Sequence, residues 1–321
     1  MNSYEDVLNG KKECSYLICK KIPVDFGTGN KDEKLWKEHD AALDRTPEKN
    51  VRFSLLDLKI KIAGRIFSKC HFCEHDCMVD RRKERGKCGV GKASIASEFL
   101  HYGEERMLIP SHTIFFSGCP FHCVFCQNWG ISQRQSGIYI EPERLAYLIG
   151  DRKGKNVNWV GGEPTPNLPY ILETLKECEL NMPQIWNSNM YCSIETMKLL
   201  DGVMDVYLTD FKYGNDKCAE RLSKIKNYWE VITRNHLMAY DQGDVIVRHL
   251  VMPNHIECCS FAILKWIAGN IPHAIVNIMD QYRPEYMANQ HSEIARRITV
   301  EEYEKVCKYG KKLGLRMINP V

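Results

Sequence analysis

At 321 residues, with 44% hydrophobic and 26% charged residues, the chain can bury a substantial core and has the composition of an ordinary globular protein. A net charge of +3 is too small to argue for a nucleic-acid partner or a membrane surface. No apolar run reaches spanning length, and Met1–Asp6 lacks a basic stretch followed by an apolar one, so a cytoplasmic protein is expected.

In chain order, residues 1–60 read as a mainly helical extension. Within it, Leu35–Leu43 is amphipathic and packs through Leu35, Trp36 and Leu43, with His39 among charges and expected in solvent. A short helix over about Leu55–Phe67 leads into a small module at 61–108, marked by Cys70, Cys73, Cys77 and Cys88. This Cys-x2-Cys-x3-Cys-x10-Cys set is complete, and four thiolates can close around zinc or an auxiliary iron–sulfur cluster. The basic Arg81–Lys87 segment between the ligands reads as a solvated loop.

From about His112, within a third region at 109–321, short apolar runs alternate with amphipathic stretches. Candidate strands are Thr113–Phe116, Val157–Val160, Gln184–Asn187, Val206–Thr209, Val245–Arg248 and Ile275–Ile278, with a last short one at Leu315–Ile318. Helices are expected around Glu141–Ile149, Leu168–Cys178, Ile194–Leu200, Lys217–Lys224, Phe261–Ala268 and Val300–Lys312. Repeated strand–helix units imply parallel strands with right-handed crossovers, which can curl into a barrel with functional loops at the strands' C-terminal ends.

The chain carries 15 cysteines, too many for a disulfide framework in a reducing compartment. Eight of them (Cys14, Cys19, Cys178, Cys192, Cys218, Cys258, Cys259 and Cys307) read as packing residues. The most telling group is Cys119-x3-Cys123-x2-Cys126, directly after the first barrel strand. Three soft thiolates are one short of a closed cage, which leaves one iron of a cluster open to a small molecule. The alternative is a zinc loop that borrows a fourth ligand, such as His122.

Further polar motifs fall at the ends of later strands. Gly161-Gly162-Glu163-Pro164-Thr165 offers two glycines that let backbone approach a ligand and a carboxylate that can accept from an ammonium. Asn187, Ser188 and Asn189 can hydrogen-bond hydroxyls or close a turn. Strand alternation puts Asp210 and Lys212 on one face as a carboxylate–ammonium pair, and Arg248 ends the fifth strand.

From about Cys70 onward the chain resembles the radical S-adenosylmethionine (SAM) proteins related to pyruvate formate-lyase activating enzyme, in the PflX-like branch. The resemblance rests on Cys119, Cys123 and Cys126 with Phe125, Gln127 and Asn128, and on Gly161–Thr165. Asp210-Phe211-Lys212-Tyr213, Arg248-His249-Leu250 and Met279–Pro284 complete it. It implies an α/β fold, a partial (β/α)6 radical SAM barrel preceded by the four-cysteine module. It also implies that Cys119, Cys123 and Cys126 ligate a 4Fe-4S cluster and that Gly161, Gly162 and Glu163 hold SAM's amino group. Asn187 falls near the ribose, Asp210 and Lys212 line the methionine carboxylate, and Phe125, Asn189 and Arg248 complete the cofactor contacts. The implied chemistry is reductive cleavage of SAM to a 5′-deoxyadenosyl radical that abstracts hydrogen from a substrate, fed by a flavodoxin- or ferredoxin-type donor. The substrate is a glycyl-radical enzyme partner, a peptide or a small metabolite. The rival function is a non-catalytic iron–sulfur or zinc protein acting as electron carrier or scaffold.

Overall fold

The computed structural model describes residues 1–27 and 29–318. The N-terminal helices are α1 (Asn2–Leu8), α2 (Ser15–Cys19), α3 (Asp32–Ala42) and α4 (Leu55–Ser68). Next come strands β1 (Ile95–His101) and β2 (Ser111–Phe116), then helices α5 (Trp129–Ser132) and α6 (Pro142–Asp151). The alternation continues with β3 (Asn156–Gly161), α7 (Leu168–Glu177), β4 (Gln184–Ser188), α8 (Ile194–Leu200) and β5 (Val206–Asp210). Two helices, α9 (Asp216–Ser223) and α10 (Tyr228–Gln242), precede β6 (Asp244–Leu250). The chain finishes with α11 (Ala262–Asn270), β7 (Ile275–Met279), α12 (Val300–Lys312) and β8 (Arg316–Met317).

The eight strands form one sheet in sequential order. β2 through β8 are parallel, and β1 pairs antiparallel with β2 at the edge. The result is an open α/β partial barrel, with six principal parallel strands, β2–β7. Strands of such a sheet are covered on both faces, which is why β4 (Gln184–Ser188) is buried at every position. Two apolar clusters divide the faces. Ile185, Val206, Leu208, Ile246 and Ile275 pack together inside with Tyr4 and Leu108, and the larger cluster lies between the sheet and its helices.

Side-chain alternation along each strand then places the next inward-facing residues. Two residues beyond Ile185 is Asn187, two beyond Leu208 is Asp210, two beyond Ile246 is Arg248, and two beyond Ile275 is Asn277. The barrel interior is therefore apolar at its base and polar at the C-terminal ends of its strands.

The base is closed by the N-terminal segment. Tyr4 N donates to Asp244 at 2.9 Å, and Asn156 Nδ2 donates to the Tyr4 hydroxyl at 2.8 Å. Ser15 N and Oγ both donate to the buried Asp205 carboxylate, at 2.9 and 2.8 Å, and Gln184 N reaches its other oxygen at 2.8 Å.

Several expectations need correction. His39 is not solvated: it is fully buried, with Lys59 Nζ at 2.8 Å from Nε2 and Asp40 at 3.0 Å from Nδ1. Its charged sequence neighbours hide the fact that α4 brings Lys59 over it. Arg81 likewise leaves the solvated loop and is buried, donating to the carbonyls of Val90 (2.9 Å), Pro166 (2.5 Å) and Gly91 (3.2 Å). β1 and α10 are additional elements. The aromatic and β-branched residues of Tyr228–Gln242 dilute its helical signal, and tertiary packing supplies what propensity does not.

Candidate active site

The loop Ser117–Cys126 leaves the end of β2 and turns back into the mouth of the barrel. Its first turn needs Gly118, at φ +88°, because a Cβ there would stand 2.7 Å from the Cys88 carbonyl oxygen and 2.3 Å from Val90. Cys119 and Cys123 are buried and Cys126 is partly exposed. Each sulfur meets a polar neighbour. Phe121 N (3.4 Å) and Asn189 Nδ2 (3.8 Å) donate to Cys119, Ser223 Oγ donates to Cys123 at 2.9 Å, and Ser132 Oγ lies 3.1 Å from Cys126. Burial pushes the Cys123 thiol up to about 12 and the Cys119 thiol well above its ordinary value, with neighbouring thiols adding to both and Glu163 to Cys119. Two buried thiolates beside a third cysteine are thus costly without a cation, and a bound cluster supplies one. His122 is no fourth ligand here: it is exposed and its Nδ1 lies 2.6 Å from Gln133 Oε1.

β3 ends beside this loop. Phe116 pairs with Gly161, and a Cβ on Gly161 (φ +130°) would meet Phe116 N at 2.1 Å. A Cβ on Gly162 would meet the Gly118 carbonyl oxygen at 2.2 Å. Both glycines are required first by the chain's own backbone, and both also face the cavity. The Glu163 carboxylate is buried and committed: Oε1 accepts from Thr165 Oγ1 and Ser188 Oγ at 2.6 Å each and from Thr165 N at 3.3 Å, and Oε2 accepts from Asn189 N at 2.9 Å. Burial raises its pKa, and those donors oppose the rise. Glu163 therefore ties the exit of β3 to the exit of β4 and fixes Asn189 against Cys119.

Beyond β5, Lys212 forms an ion pair with Asp210. Burial works against the ammonium, but Asp210 and Cys123 beside it hold its pKa above the ordinary lysine value. Arg248 of β6 reaches Glu105 at 2.8 and 2.7 Å and also pairs with Glu104. Asn277 of β7 donates to Glu105 at 2.8 Å, and Asn158 of β3 to Glu104 at 3.0 Å. Burial opposes the Glu105 charge, while Arg248 and Asn277 hold its carboxyl below the ordinary glutamate range. Glu104 and Glu105 escape sequence reasoning because they follow β1. The stretch that precedes them, Ile95-Ala96-Ser97-Glu98-Phe99-Leu100, is apolar at both ends and polar in the middle, so no period-2 signal announces the strand.

Together these residues line one cavity of about 810 Å³. Cys119, Cys123, Phe125, Cys126, Gly161, Gly162, Glu163, Asn187, Asn189, Asp210, Lys212 and Arg248 all face it, so every expected cofactor contact meets at one place. Phe125 is held there by edge contacts with Tyr213 (6.3 Å) and Tyr282 (5.9 Å).

The upstream cysteines lie against the same loop from outside. Cys70, Cys73 and Cys88 are buried and Cys77 is partly exposed, with Lys87 N donating to Cys77 Sγ at 3.4 Å. His75, inside this group, hydrogen-bonds the carbonyl of Pro120 at 2.8 Å and so touches the residue next to Cys119. Among the described residues, one group of three or more His, Cys, Asp or Glu has all its ligand atoms within 4.8 Å of one another. It is neither of the two expected groups but Cys218, His255, Cys258 and Cys259.

Residues 113–267 match the model of the Radical SAM superfamily. The chain is 49% identical over 320 residues to the "Uncharacterized protein MJ0674" of Methanocaldococcus jannaschii, covering 94% of each chain. The chain belongs to the radical SAM superfamily. As a radical SAM enzyme it has a 4Fe-4S cluster and SAM as cofactors, and the three thiolates and polar cavity fit that pair. Among solved structures, it is similar to methylornithine synthase (PylB), with a TM-score of 0.47 and 13% identity over 98% of this chain and 78% of that one. It is also similar to a domain of pyruvate-formate lyase-activating enzyme from Bacteroides vulgatus, with a TM-score of 0.43 and 16% identity over 51% of this chain and 98% of that one. No helix of the described residues is long and apolar enough to cross a membrane.

Proposed function

We propose that this radical SAM enzyme abstracts a hydrogen atom from a substrate admitted to the same cavity that holds SAM, and that it belongs to the PflX-like branch. The observation that carries the reading is the convergence of three thiols and the ends of six strands on one cavity of about 810 Å³, within the usual range for small-molecule sites. When bound, the reduced cluster supplies one electron to SAM, breaking a sulfur–carbon bond to give methionine and the 5′-deoxyadenosyl radical.

The chain's own residues do the rest. Cys119, Cys123 and Cys126 would hold three irons, and the Gly161–Glu163 backbone would take the SAM ammonium, since the Glu163 carboxylate already serves four donors. Asn187 and Asn189 would contact the ribose, Asp210 and Lys212 would orient the methionine carboxylate, and Phe125 would wall the site against water. Arg248 is neutralised twice over, so Glu104 and Glu105 leave a surplus negative charge at the far wall. That charge favours a small metabolite or peptide end bearing a cationic or hydrogen-donating group over a glycyl-radical partner.

For the upstream group (Cys70, Cys73, Cys77, Cys88) we favour an auxiliary iron–sulfur cluster over zinc. Zinc at 2.3 Å from each thiolate draws the sulfurs to about 3.8 Å apart, whereas a bulkier cluster spreads them. These four sulfurs are not all within 4.8 Å of one another. The His75–Pro120 contact would let the auxiliary cluster pass electrons inward from a flavodoxin- or ferredoxin-type donor in the cytoplasm. In this reading residues 1–60 support the barrel, 61–108 carry the auxiliary cluster and 109–321 carry the chemistry.

Anaerobic reconstitution followed by a SAM-cleavage assay tests the reading. Dithionite-dependent 5′-deoxyadenosine is expected from the native protein and its loss from Cys123→Ala. No product from a protein with its cluster intact would leave only the electron-carrier alternative.

A further inference from the structure

Outside the cavity, three cysteines that read as packing residues in the sequence converge with a histidine. Cys218 lies in the first turn of α9, and His255, Cys258 and Cys259 lie in the connection after β6. His255 Nδ1 stands 3.5 Å from Cys258 Sγ, 3.6 Å from Cys218 Sγ and 3.7 Å from Cys259 Sγ, and the Cys258 and Cys259 sulfurs are 3.8 Å apart. A tetrahedral zinc with Zn–S of about 2.3 Å and Zn–N of about 2.0 Å has edges of about 3.8 Å between sulfurs and about 3.5 Å between sulfur and nitrogen. The observed separations are those edges. A vicinal disulfide would need its sulfurs at about 2.0 Å. Ordinary apolar packing gives no reason for four ligand atoms to meet at one point.

The backbone is shaped to the same end. Two adjacent cysteines on an α-helix diverge by about 100°, since 3.6 residues make a turn. Here Ile256–Phe261 is wound as a π-helix, and the His255 carbonyl accepts from both Cys259 N (3.1 Å) and Ser260 N (3.2 Å). This local widening, frequent at functional sites, lets both sulfurs face Cys218. Asn215, the N-cap of α9, accepts from Cys218 N and donates to the Cys258 carbonyl, both at 2.9 Å. Gly214 allows the close approach, because a Cβ there would stand 2.5 Å from that carbonyl oxygen.

We propose that Cys218, His255, Cys258 and Cys259 bind a structural zinc ion. Four protein ligands close the coordination sphere, which leaves no open position for catalysis. The site staples α9 to the β6 connection. The far end of α9 supports the catalytic loop: the carbonyls of Leu222 and Ser223 accept from Val124 N (2.9 Å) and His122 N (3.1 Å), and Ser223 Oγ donates to Cys123. The zinc thus positions the 4Fe-4S loop without touching it.

Zinc and iron analysis of anaerobically purified, chelator-washed protein tests this. One zinc per chain is expected in the native protein and in Cys70→Ser, and loss of that zinc in Cys218→Ser/Cys258→Ser. Zinc lost from Cys70→Ser but kept by the double variant, iron lost in place of zinc, or no stoichiometric zinc in the native protein would each overturn the proposal. Should the double variant fail to fold, cobalt(II) added to metal-free native protein and to the conservative His255→Cys gives the answer. The expected result is a tetrahedral thiolate–cobalt spectrum that shifts when the nitrogen ligand becomes a fourth sulfur; a spectrum unchanged by His255→Cys, or none, rejects the site.

Discussion

Ser223 offers no ligand to the proposed 4Fe-4S site, yet its O–H bond to Cys123 Sγ would bear on the redox balance of a cluster held there. Hydrogen bonds to ligand sulfur stabilise the more negative, reduced state and so raise the potential. Ser223→Ala is expected to lower it by about 40 mV, taking the bond at about 1 kcal/mol for a one-electron couple, with iron content unchanged. An anaerobic redox titration followed by electron paramagnetic resonance measures this, and an unshifted potential would deny the bond its role. His39 offers a second residue-level test. Burial, with Lys59 beside it, lowers its pKa from 6.5 to about 3, against the opposing pull of Asp40. The unfolded chain therefore binds a proton below pH 6.5 that the folded chain refuses, and stability falls as pH drops from 6.5 toward 3. The loss reaches about 2 kcal/mol by pH 5, at about 1.4 kcal/mol per unit. Urea midpoints across that range should fall less steeply in His39→Gln than in the native protein.

Among the elements, the exits of β2 and β3 are pressed together through glycine. Gly162→Ala places a methyl 2.2 Å from the Gly118 carbonyl oxygen, a backbone atom that cannot swing aside. The expected cost is about 3 kcal/mol or more, with poor cluster loading, read as a lower thermal midpoint and reduced iron content. At α4 the effect is smaller. Ser54 caps the helix in a capping box with Asp57, and Ser54→Ala should cost about 1 kcal/mol in denaturant unfolding. The parallel strands were legible in the sequence because each is a short apolar run followed by a polar cluster. β1 was not, being an edge strand that puts the apolar Phe99 outward and turns the charged Glu98 toward His112 and Arg152, which blurs the alternation. Of the site, Cys119, Cys123 and Cys126 were legible because one loop supplies all three. Glu104 and Glu105 were hidden because Arg248, their partner, lies more than 140 residues away. Cys218 and His255 were hidden for the same reason: the spacing that announces a metal site exists only after β5 and β6 pair.

At the scale of the whole molecule, Asp205 holds the N-terminal segment to the barrel by accepting from Ser15 and Gln184. Asp205→Ala orphans those donors and is expected to cost about 3 kcal/mol, at about 1 kcal/mol or more for each; a denaturation midpoint equal to that of the native protein would refute the assignment. The sequential strand order has a consequence for synthesis. Each βα unit finds its neighbour as soon as it leaves the ribosome, so the sheet can grow in the order of translation. The exception is the segment that closes the base. Tyr4 and Ser15 are made well before their partners, since Asp244 and Asp205 emerge some two hundred residues later. The floor of the barrel is therefore laid late, by a segment that has long been waiting for its partners, and until then the apolar interior around Val206 and Ile246 stays open to water and to chaperones.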